Sequence, residues 1–242
     1  MKIRVFPTAD ELARATATLM AVRAARAIVE RGQANIALAG GATPLPVYRA
    51  LASQPLREIM PWQACHFFWS DERAVPFDHP GSNFGQLQRI WQAGVSLKPG
   101  QLHPVPVDQY EPEEAAARYQ AELRTHFGGL LPVFDFILLG LGPDGHLASL
   151  FPQDPVLGEE RSWTAAVTPP TGVEPALPRV TMTWPLLNAG RTVAVAVTGA
   201  GKRQAVRQAL SEHQDGPEAL AKRLMPYGEL FWFLDQAAAG DL

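Results

Sequence analysis

The stretch FDFILLGLGPDGHLASLFP, residues 134–152, decides the fold of this chain more than any other. Phe134 and residues 136–139 form an apolar run of strand length that stops at Gly140, a pattern typical of a fully buried, parallel strand. In open α/β sheets, ligands bind where such strands end at their carboxyl edge. Asp144 and His146 follow this strand on a tight turn, so we interpret them as candidates for catalysis, with ordinary turn chemistry as the alternative.

Segments with the patterns of strands and helices alternate along the chain, as in parallel sheets with helical crossovers. The first helix should begin after Thr8 and run to about Arg31, where Gly32 ends it. The main strands are predicted at 3–5, 35–39, 66–69, 134–139, 192–198 and 230–234. The later helices are predicted at 44–52, 82–91, 111–127, 202–210 and 217–224. We therefore predict an α/β fold with a doubly wound, mainly parallel sheet flanked by helices, Rossmann-like, in a single domain over residues 1–242.

Proline-containing segments depart from this alternation. Residues 103–107 should be extended and lie near a sheet edge, because proline cannot complete the hydrogen bonds of a central strand. Residues 152–178 are rich in proline and glycine and should form a long surface loop with one strand at 163–167. Residues 179–184 are predicted to be extended or to form a short turn.

Composition and charge exclude several classes of protein. The 242 residues are 47% apolar and 19% charged, as in a globular protein with a sizeable core, and the net charge of −3 argues against a general nucleic-acid binder. A single cysteine, Cys65, excludes an intramolecular disulfide and fits a reducing compartment, and we expect it to pack in the core. The first residues lack the apolar segment of a signal peptide, and no uncharged apolar run reaches the roughly 18 residues of a membrane span.

A glycine-rich loop follows the second predicted strand and opens a helix. Its residues are Gly40, Gly41, Ala42, Thr43 and Pro44. Glycines allow close approach of a ligand to the backbone, and amides at a helix start favour an anion. The spacing matches neither a Walker loop nor a dinucleotide-binding fingerprint, so the alternative is a tight turn without a ligand.

Charged residues follow two other strands at the same predicted edge of the sheet. Asp71 and Arg73 lie in a predicted loop directly after residues 66–69, and a guanidinium can bind a carboxylate or phosphate with two parallel hydrogen bonds. Lys202 lies at a helix start after a Gly-Ala-Gly turn, where a cation is disfavoured unless an anion joins it. Arg179 is a further basic candidate.

The spacing of residues indicates neither a metal-binding site nor a catalytic serine. The six histidines show no HxH or HExxH motif and there are no paired cysteines, so we predict no metal. No GxSxG motif is present for a serine nucleophile.

Six motifs together resemble those of the 6-phosphogluconolactonase family over nearly the whole chain. They are LAGGATP (38–44), FFWSDERAVP (67–76), GSNFG (81–85), LGLGPDGHLASLFP (139–152), RVTMTWPLLN (179–188) and VTGAGKRQAV (197–206). The resemblance implies hydrolysis of 6-phosphogluconolactone to 6-phosphogluconate in the pentose phosphate pathway, without a metal or organic cofactor. It also implies a fold similar to that of glucosamine-6-phosphate deaminase and ribose-5-phosphate isomerase.

The resemblance further implies roles for the candidate residues. His146 would be the general base that activates a water, because an imidazole is the side chain best suited to proton abstraction near neutral pH. Asp144 would hold the tautomer of His146 or the shape of the loop, and Arg73 would stabilise the oxyanion or the product carboxylate. The substrate would be bound by Gly40, Gly41, Ala42, Thr43, Asp71, Arg179 and Lys202, with the phosphate near the backbone of 41–43 and the two basic side chains, and Asp71 on sugar hydroxyls.

Two alternatives to a lactonase remain from the sequence, a deaminase of the same fold and a non-catalytic sensor. A deaminase shares the glycine-rich, DE and DGH loops, but it has an aromatic residue in place of Arg73 and a catalytic glutamate in place of Phe151, and this chain has no carboxylate between His146 and Asp154. A non-catalytic sugar-phosphate sensor would usually carry a further domain. We expect a cytoplasmic enzyme, a monomer or weak homodimer, whose partner is a small sugar-phosphate lactone, with no nucleic acid and no membrane.

Overall fold

The structure is a computed structural model that describes residues 1–92, 94–211 and 219–242. Within these ranges the strands are β1 Lys2–Phe6, β2 Ala34–Leu38, β3 Cys65–Trp69, β4 Asp71–Arg73, β5 Leu102–His103, β6 Phe136–Leu139, β7 Thr164–Val167, β8 Arg179–Met182, β9 Thr192–Val197 and β10 Glu229–Asp235. The α-helices are α1 Ala9–Arg31, α2 Pro44–Leu51, α3 Leu56–Ile59, α4 Asn83–Trp91, α5 Pro112–His126, α6 Trp184–Leu187, α7 Arg203–Leu210 and α8 Gln236–Ala239. Short 3₁₀ helices lie at Trp62–Ala64, Pro155–Gly158, Ala200–Lys202 and Leu220–Arg223.

Seven strands form the central sheet, in the order β1-β10-β9-β6-β2-β3-β5, and every neighbouring pair is parallel. From β2 the chain continues outward through β3 to β5, and from β6 it continues outward in the other direction through β9 to β10. The order of the strands therefore reverses between β2 and β6, and a crevice opens at such a point outside the carboxyl ends of the strands. The predicted fold class, a mainly parallel α/β sheet flanked by helices, is confirmed.

A second sheet of three antiparallel strands, in the order β4-β8-β7, lies next to the first. The prediction of a loop at 71–73 was wrong, because these residues form β4 and pair with β8. Three charged side chains give little indication of a strand, and the hydrogen-bonding partner comes from a segment more than a hundred residues away. β4 continues almost directly from β3, so the second sheet extends from the carboxyl edge of the first.

The remaining predictions agree with the structure to within a few residues. The segment predicted near a sheet edge, 103–107, overlaps β5 only at His103, and β5 is a two-residue strand at one end of the central sheet. The predicted strand at 163–167 is β7, and 179–184 contains β8 followed by α6. The helix predicted at 217–224 is a 3₁₀ helix at Leu220–Arg223, and residues 217 and 218 lie outside the described residues.

Helix α1 packs against the central sheet with a face of small and apolar side chains, among them Leu12, Met20 and Ala24, all fully buried. Gly32 ends the helix with a φ of 81°, as a left-handed cap, and its amide donates to the Ile28 carbonyl at 2.8 Å. Cys65 is buried in the core, as expected, and burial raises the pKa of its thiol to about 12, so it is not a nucleophile at neutral pH. In the described part of the chain, no helix has both the length and the apolar character needed to cross a bilayer.

Candidate active site

A cleft of about 220 Å³ lies at the carboxyl edge of the central sheet, between the loops that follow β2 and β6. This is the crevice expected from the reversal of strand order. The predicted site residues that line it are Gly40, Gly41, Ala42, Thr43, Asp71, Arg73, His146, Arg179 and Lys202. Asp144 does not line the cleft but contacts His146 directly.

His146 and Asp144 form a hydrogen-bonded pair on the turn after β6. The Nδ1 atom of His146 lies 2.6 Å from the Oδ1 atom of Asp144. Burial acts to raise the pKa of Asp144, but the hydrogen bond and the charge of His146 outweigh it, so this pKa lies below its usual range. Because an ionised carboxylate only accepts hydrogen bonds, the Nδ1 atom of a neutral His146 carries the proton and its Nε2 atom has a free lone pair.

Gly142 provides the space in which this pair forms. A Cβ atom at this position would lie 2.1 Å from the Nδ1 atom of His146 and 2.4 Å from the Oδ1 atom of Asp144. The backbone holds the turn closed, because the Gly142 amide donates to the His146 carbonyl at 2.8 Å. Only glycine at this position allows the carboxylate and the imidazole to meet in this geometry.

Phe151 packs against His146 on the segment that follows. The two ring centroids are 4.8 Å apart, and the guanidinium of Arg179 lies 5.2 Å from the centre of the same phenyl ring. Between them, Ala148 has a φ of 50°, a left-handed conformation that costs a residue with a side chain roughly 1–2 kcal/mol. This turn brings Phe151 back under the imidazole and the guanidinium.

Arg73 and Arg179 lie opposite each other on β4 and β8. Like charges in directly opposed positions destabilise a sheet. Each guanidinium has one backbone anchor: Arg73 donates to the Gly81 carbonyl at 2.8 Å and Arg179 to the Pro175 carbonyl at 3.0 Å. The Nε atom of each is buried and has no partner among the described residues. Two arginines held together in this way suit an anion that contacts both.

Lys202 completes a set of three cations around the cleft. Burial lowers the pKa of Lys202 and also that of Arg179, so a bound anion would stabilise the charged form of both. Among the described residues, neither side chain forms an ion pair, and the same holds for Arg73. The cleft therefore holds three cations without an ion-pair partner, together with the carboxylates of Asp71 and Glu174.

The glycine-rich loop is fixed by contacts from behind. The hydroxyl of Tyr48 accepts from the Ala39 amide at 3.0 Å and donates to the carbonyl of the same residue at 2.6 Å. Gly41 has a φ of 96°, which favours glycine. The hydroxyls of Thr43 and Thr198 lie 2.8 Å apart and connect this loop to the loop that carries Lys202. The backbone of the loop is therefore held in place before any ligand binds.

The two acidic residues of β4 have different surroundings. Asp71 lines the cleft and accepts a hydrogen bond from the Ser149 hydroxyl at 2.8 Å. Glu72 is fully buried and points to the start of α4, where it accepts from the amides of Asn83 and Phe84, both at 2.7 Å, and from the Ser82 hydroxyl at 3.1 Å. Glu72 thus anchors the helix, because its carboxyl oxygens accept from the free amides of the first turn. Burial raises the pKa of Glu72 to about 7, although these hydrogen bonds act to lower it.

Several residues of the site were missed from sequence. Asp235, at the end of β10, accepts from the Gly199 amide at 3.1 Å and so shapes the turn before Lys202. Glu174 lines the cleft from the long loop between β7 and β8. The first could have been found as a carboxylate at the end of a predicted strand, whereas Glu174 had no distinguishing signal.

The comparisons with known proteins agree with this architecture. The family model described as glucosamine-6-phosphate isomerases/6-phosphogluconolactonase matches residues 7–232. A 6-phosphogluconolactonase of Synechocystis sp. is 43% identical over 91% of this chain and 89% of that protein, and one of Nostoc sp. is 37% identical over 99% and 98%. The solved structure of 6-phosphogluconolactonase from Trypanosoma cruzi superposes with a TM-score of 0.87 at 26% identity, covering 100% of this chain and 96% of that one.

The open α/β sheet and the cleft with three cations, together with these comparisons, place the chain in a class of enzymes that act on sugar phosphates. The chain belongs to the family of glucosamine-6-phosphate isomerases and 6-phosphogluconolactonases. Within this family it groups with the 6-phosphogluconolactonases, as the curated relatives named above do.

Substituting Gly142 should break the pair of His146 and Asp144. In G142A the new methyl group occupies the space of the imidazole Nδ1 atom, so His146 should lose its fixed tautomer. The nitrogen chemical shifts of His146, measured by NMR, should change from those of one Nδ1-protonated form to those of a mixture. G140A is the matched control, because a Cβ there meets nothing within 4 Å. Unchanged His146 shifts in G142A would contradict this geometry.

Substituting Glu72 by its amide should destabilise the protein. In E72Q an NH₂ group faces backbone amides that need an acceptor, and an unsatisfied buried donor costs about 1–3 kcal/mol. The free energy of unfolding in urea should fall by this amount. E160Q, at an exposed position, should leave it within about 0.5 kcal/mol. Equal stability of the two variants would show that Glu72 does not anchor α4.

Proposed function

We propose that this chain hydrolyses 6-phospho-D-glucono-1,5-lactone to 6-phospho-D-gluconate, in the oxidative branch of the pentose phosphate pathway. The observation that carries this proposal is the pair of His146 and Asp144 beside a cleft with three cations that have no ion-pair partner. The names of the curated relatives support the same substrate. We also expect a cytoplasmic location and a monomer or weak homodimer, and both stay predictions.

The chemical step needs one base that also returns a proton. The Nε2 atom of His146 takes a proton from a water molecule, and the water oxygen forms a bond to C1 of the lactone. The carbonyl electrons move onto the oxygen, and they return when the bond from C1 to the ring oxygen breaks. The ring oxygen then takes the proton from the imidazolium and becomes the 5-hydroxyl. Asp144 stabilises the imidazolium between the two transfers, because its carboxylate accepts from Nδ1.

Different cations of the cleft bind the two parts of the substrate that carry or develop negative charge. Lys202, Arg179 and the backbone of residues 41–43 bind the phosphate, which carries about two negative charges near neutral pH. Arg73 lies across the strand pair from Arg179 and stabilises the oxyanion on C1 or the product carboxylate. Asp71, held by Ser149, accepts from hydroxyls of the sugar. In this arrangement the positive charge is in place before the reaction, so little reorganisation is needed in the transition state.

The environment of His146 favours the lactonase over a deaminase of the same family. A deaminase needs a carboxylate to steer the histidine during ring opening, and in this chain the ring that packs against His146 is that of Phe151. Arg73 lies where a deaminase carries an aromatic residue. Compared with a deaminase, this chain therefore lacks a carboxylate at position 151 that could relay a proton and has an additional cation at position 73. A cation near the carbonyl suits attack by water, because it stabilises the oxyanion that forms.

The decisive experiment measures two reactions in parallel. Freshly generated 6-phosphogluconolactone should be hydrolysed well above its spontaneous rate, as followed by acid release. Ammonia release from glucosamine 6-phosphate should stay at the background of a protein-free control. Ammonia release without lactone hydrolysis would establish the deaminase, and specific binding of the sugar phosphates without turnover would establish the sensor.

Removing the imidazole should abolish most of the chemical rate. H146A should lower kcat by about two to four orders of magnitude, the usual contribution of a positioned general base. Binding of 6-phosphogluconate, measured by calorimetry, should survive because the phosphate contacts are intact. Near-normal turnover in H146A would show that another group activates the water.

Removing the ammonium of Lys202 should weaken binding of the phosphate. K202A should raise KM for the phosphorylated lactone about ten- to a hundredfold, the equivalent of a charged hydrogen bond of about 1.5–3 kcal/mol. Hydrolysis of unphosphorylated gluconolactone should change little, because that substrate has no phosphate to lose. K98A, an exposed lysine outside the cleft, is the control and should match the parent on both substrates. Equal losses in K202A on both lactones would point to a structural role.

A further inference from the structure

Three histidines from separate elements meet on one face of the central sheet. His66 lies on β3, His103 on the edge strand β5 and His126 is the last residue of α5. One ring nitrogen of each lies within 4.8 Å of a ring nitrogen of the other two. Among the described residues, this is the only such group of histidine, cysteine or carboxylate side chains. Spacing in sequence missed it, because the three residues are far apart along the chain.

The pairing of strands explains why these side chains converge. β3 and β5 are parallel, with Phe68 opposite His103, and alternate residues of a strand share a face, so His66 lies on the face of Phe68. The ring of His103 stacks on that of Phe68 with centroids 4.3 Å apart and an angle of 4° between the planes. The end of α5 brings His126 over the same face, with its ring centroid 4.7 Å from that of His66.

Each imidazole also has an oxygen partner outside the group. The Nδ1 atom of His103 lies 2.7 Å from a carboxylate oxygen of Glu122, and the Nε2 atom of His126 lies 2.8 Å from the side-chain oxygen of Asn35. His66 bonds to the backbone of Gly100. A neutral imidazole has one N–H, and these oxygens take it, so the other nitrogen of each ring carries a lone pair. Oxygen acceptors placed in this way are the usual outer partners of metal-binding histidines.

The inner nitrogens of His66 and His103 lie close together. The Nδ1 atom of His66 and the Nε2 atom of His103 face each other at 3.0 Å. With both rings neutral and donating outward, two lone pairs oppose each other, and a shared cation removes that repulsion.

We propose that His66, His103 and His126 bind one divalent cation of the zinc type, with a fourth position for water. Imidazole ligands suit zinc, copper and nickel, and three of them with one open position are a common zinc arrangement. Metal–nitrogen bonds of about 2.0 Å place tetrahedral ligands about 3.3 Å apart, so small ring rotations from the present separations complete the site.

This cation site is separate from the cleft, and its role is structural. His66 lies near the amino end of β3, whereas the cleft lies at the carboxyl edge of the sheet. A bound ion would join β3, the two-residue strand β5 and the end of α5. Because the ion binds only the folded chain, it should stabilise the protein without changing turnover.

The test uses the full chain, stripped of metal with a strong chelator and then titrated with Co²⁺ and Zn²⁺. One equivalent of Co²⁺ per chain should produce the visible absorption of a nitrogen-bound, low-coordinate ion, and Zn²⁺ should displace it. Tm should rise with Zn²⁺ and level off at one equivalent, while hydrolysis of the lactone should be the same with and without metal. Absence of the cobalt spectrum would show that the three rings form only an aromatic packing cluster and would overturn the proposal.

Two variants locate the ion. H103Q and H126Q should each weaken Zn²⁺ binding at least tenfold and lose the rise in Tm, since outer and inner ligands of such sites typically contribute 10- to 100-fold. H146Q is the matched control, because its histidine lies in the cleft, and it should keep one equivalent of bound metal. Circular dichroism checks that each variant is folded. Loss of the metal in H146Q, or its retention in both H103Q and H126Q, would overturn the proposal whether or not the chain is a lactonase.

Discussion

The crevice between β2 and β6 is the constraint on which the rest of the site depends. The chain winds away from these two strands in opposite directions, so no crossover helix covers the gap at their carboxyl ends. The glycine-rich loop after β2 and the His146 turn after β6 therefore face each other across empty space. β4 closes the crevice from the side, because it continues from β3 and pairs with β8. A backbone feature thus determines where each polar side chain must lie.

The charges in this crevice are arranged for a ligand rather than for the stability of the free protein. Arg73 and Arg179 face each other across a strand pair, and burial disfavours the charged form of Arg179 and Lys202. Uncharged contacts behind the site hold the backbone in place despite the unfavourable free energy of these charges. One example is the pair of hydrogen bonds between the Tyr48 hydroxyl and the backbone of Ala39, just before the glycine-rich loop. In the proposed function, an anion that contacts all three cations relieves their mutual repulsion, and this relief contributes to the binding of the phosphate.

Much of this arrangement could be predicted from the sequence, and the main exceptions depend on contacts between segments that are distant along the chain. Buried strands and the loops after them are local patterns, so β6, β9, the glycine-rich loop and the position of His146 were found correctly. Strand β4 was not predicted, because it pairs with β8, which is distant along the chain, and its three charged residues give no local indication of a strand. Asp235, at the end of a predicted strand, could have been found from a local pattern. The three histidines on β3, β5 and α5 were missed for the same reason as β4. Only the register of the strands brings such residues together.

In the proposed reaction, Phe151 favours a role of His146 as a base toward water over a role as a proton relay. Its ring packs against the imidazole, so the one acidic partner hydrogen-bonded to His146 is Asp144 among the described residues. A single ionised partner on Nδ1 leaves the lone pair of Nε2 free, and in the proposed mechanism this partner stabilises the imidazolium after proton transfer. A second carboxylate at 151 would compete for Nε2 and make it a donor. The guanidinium of Arg179 lies over the same phenyl ring, so one apolar side chain packs against both the proposed base and a cation of the cleft.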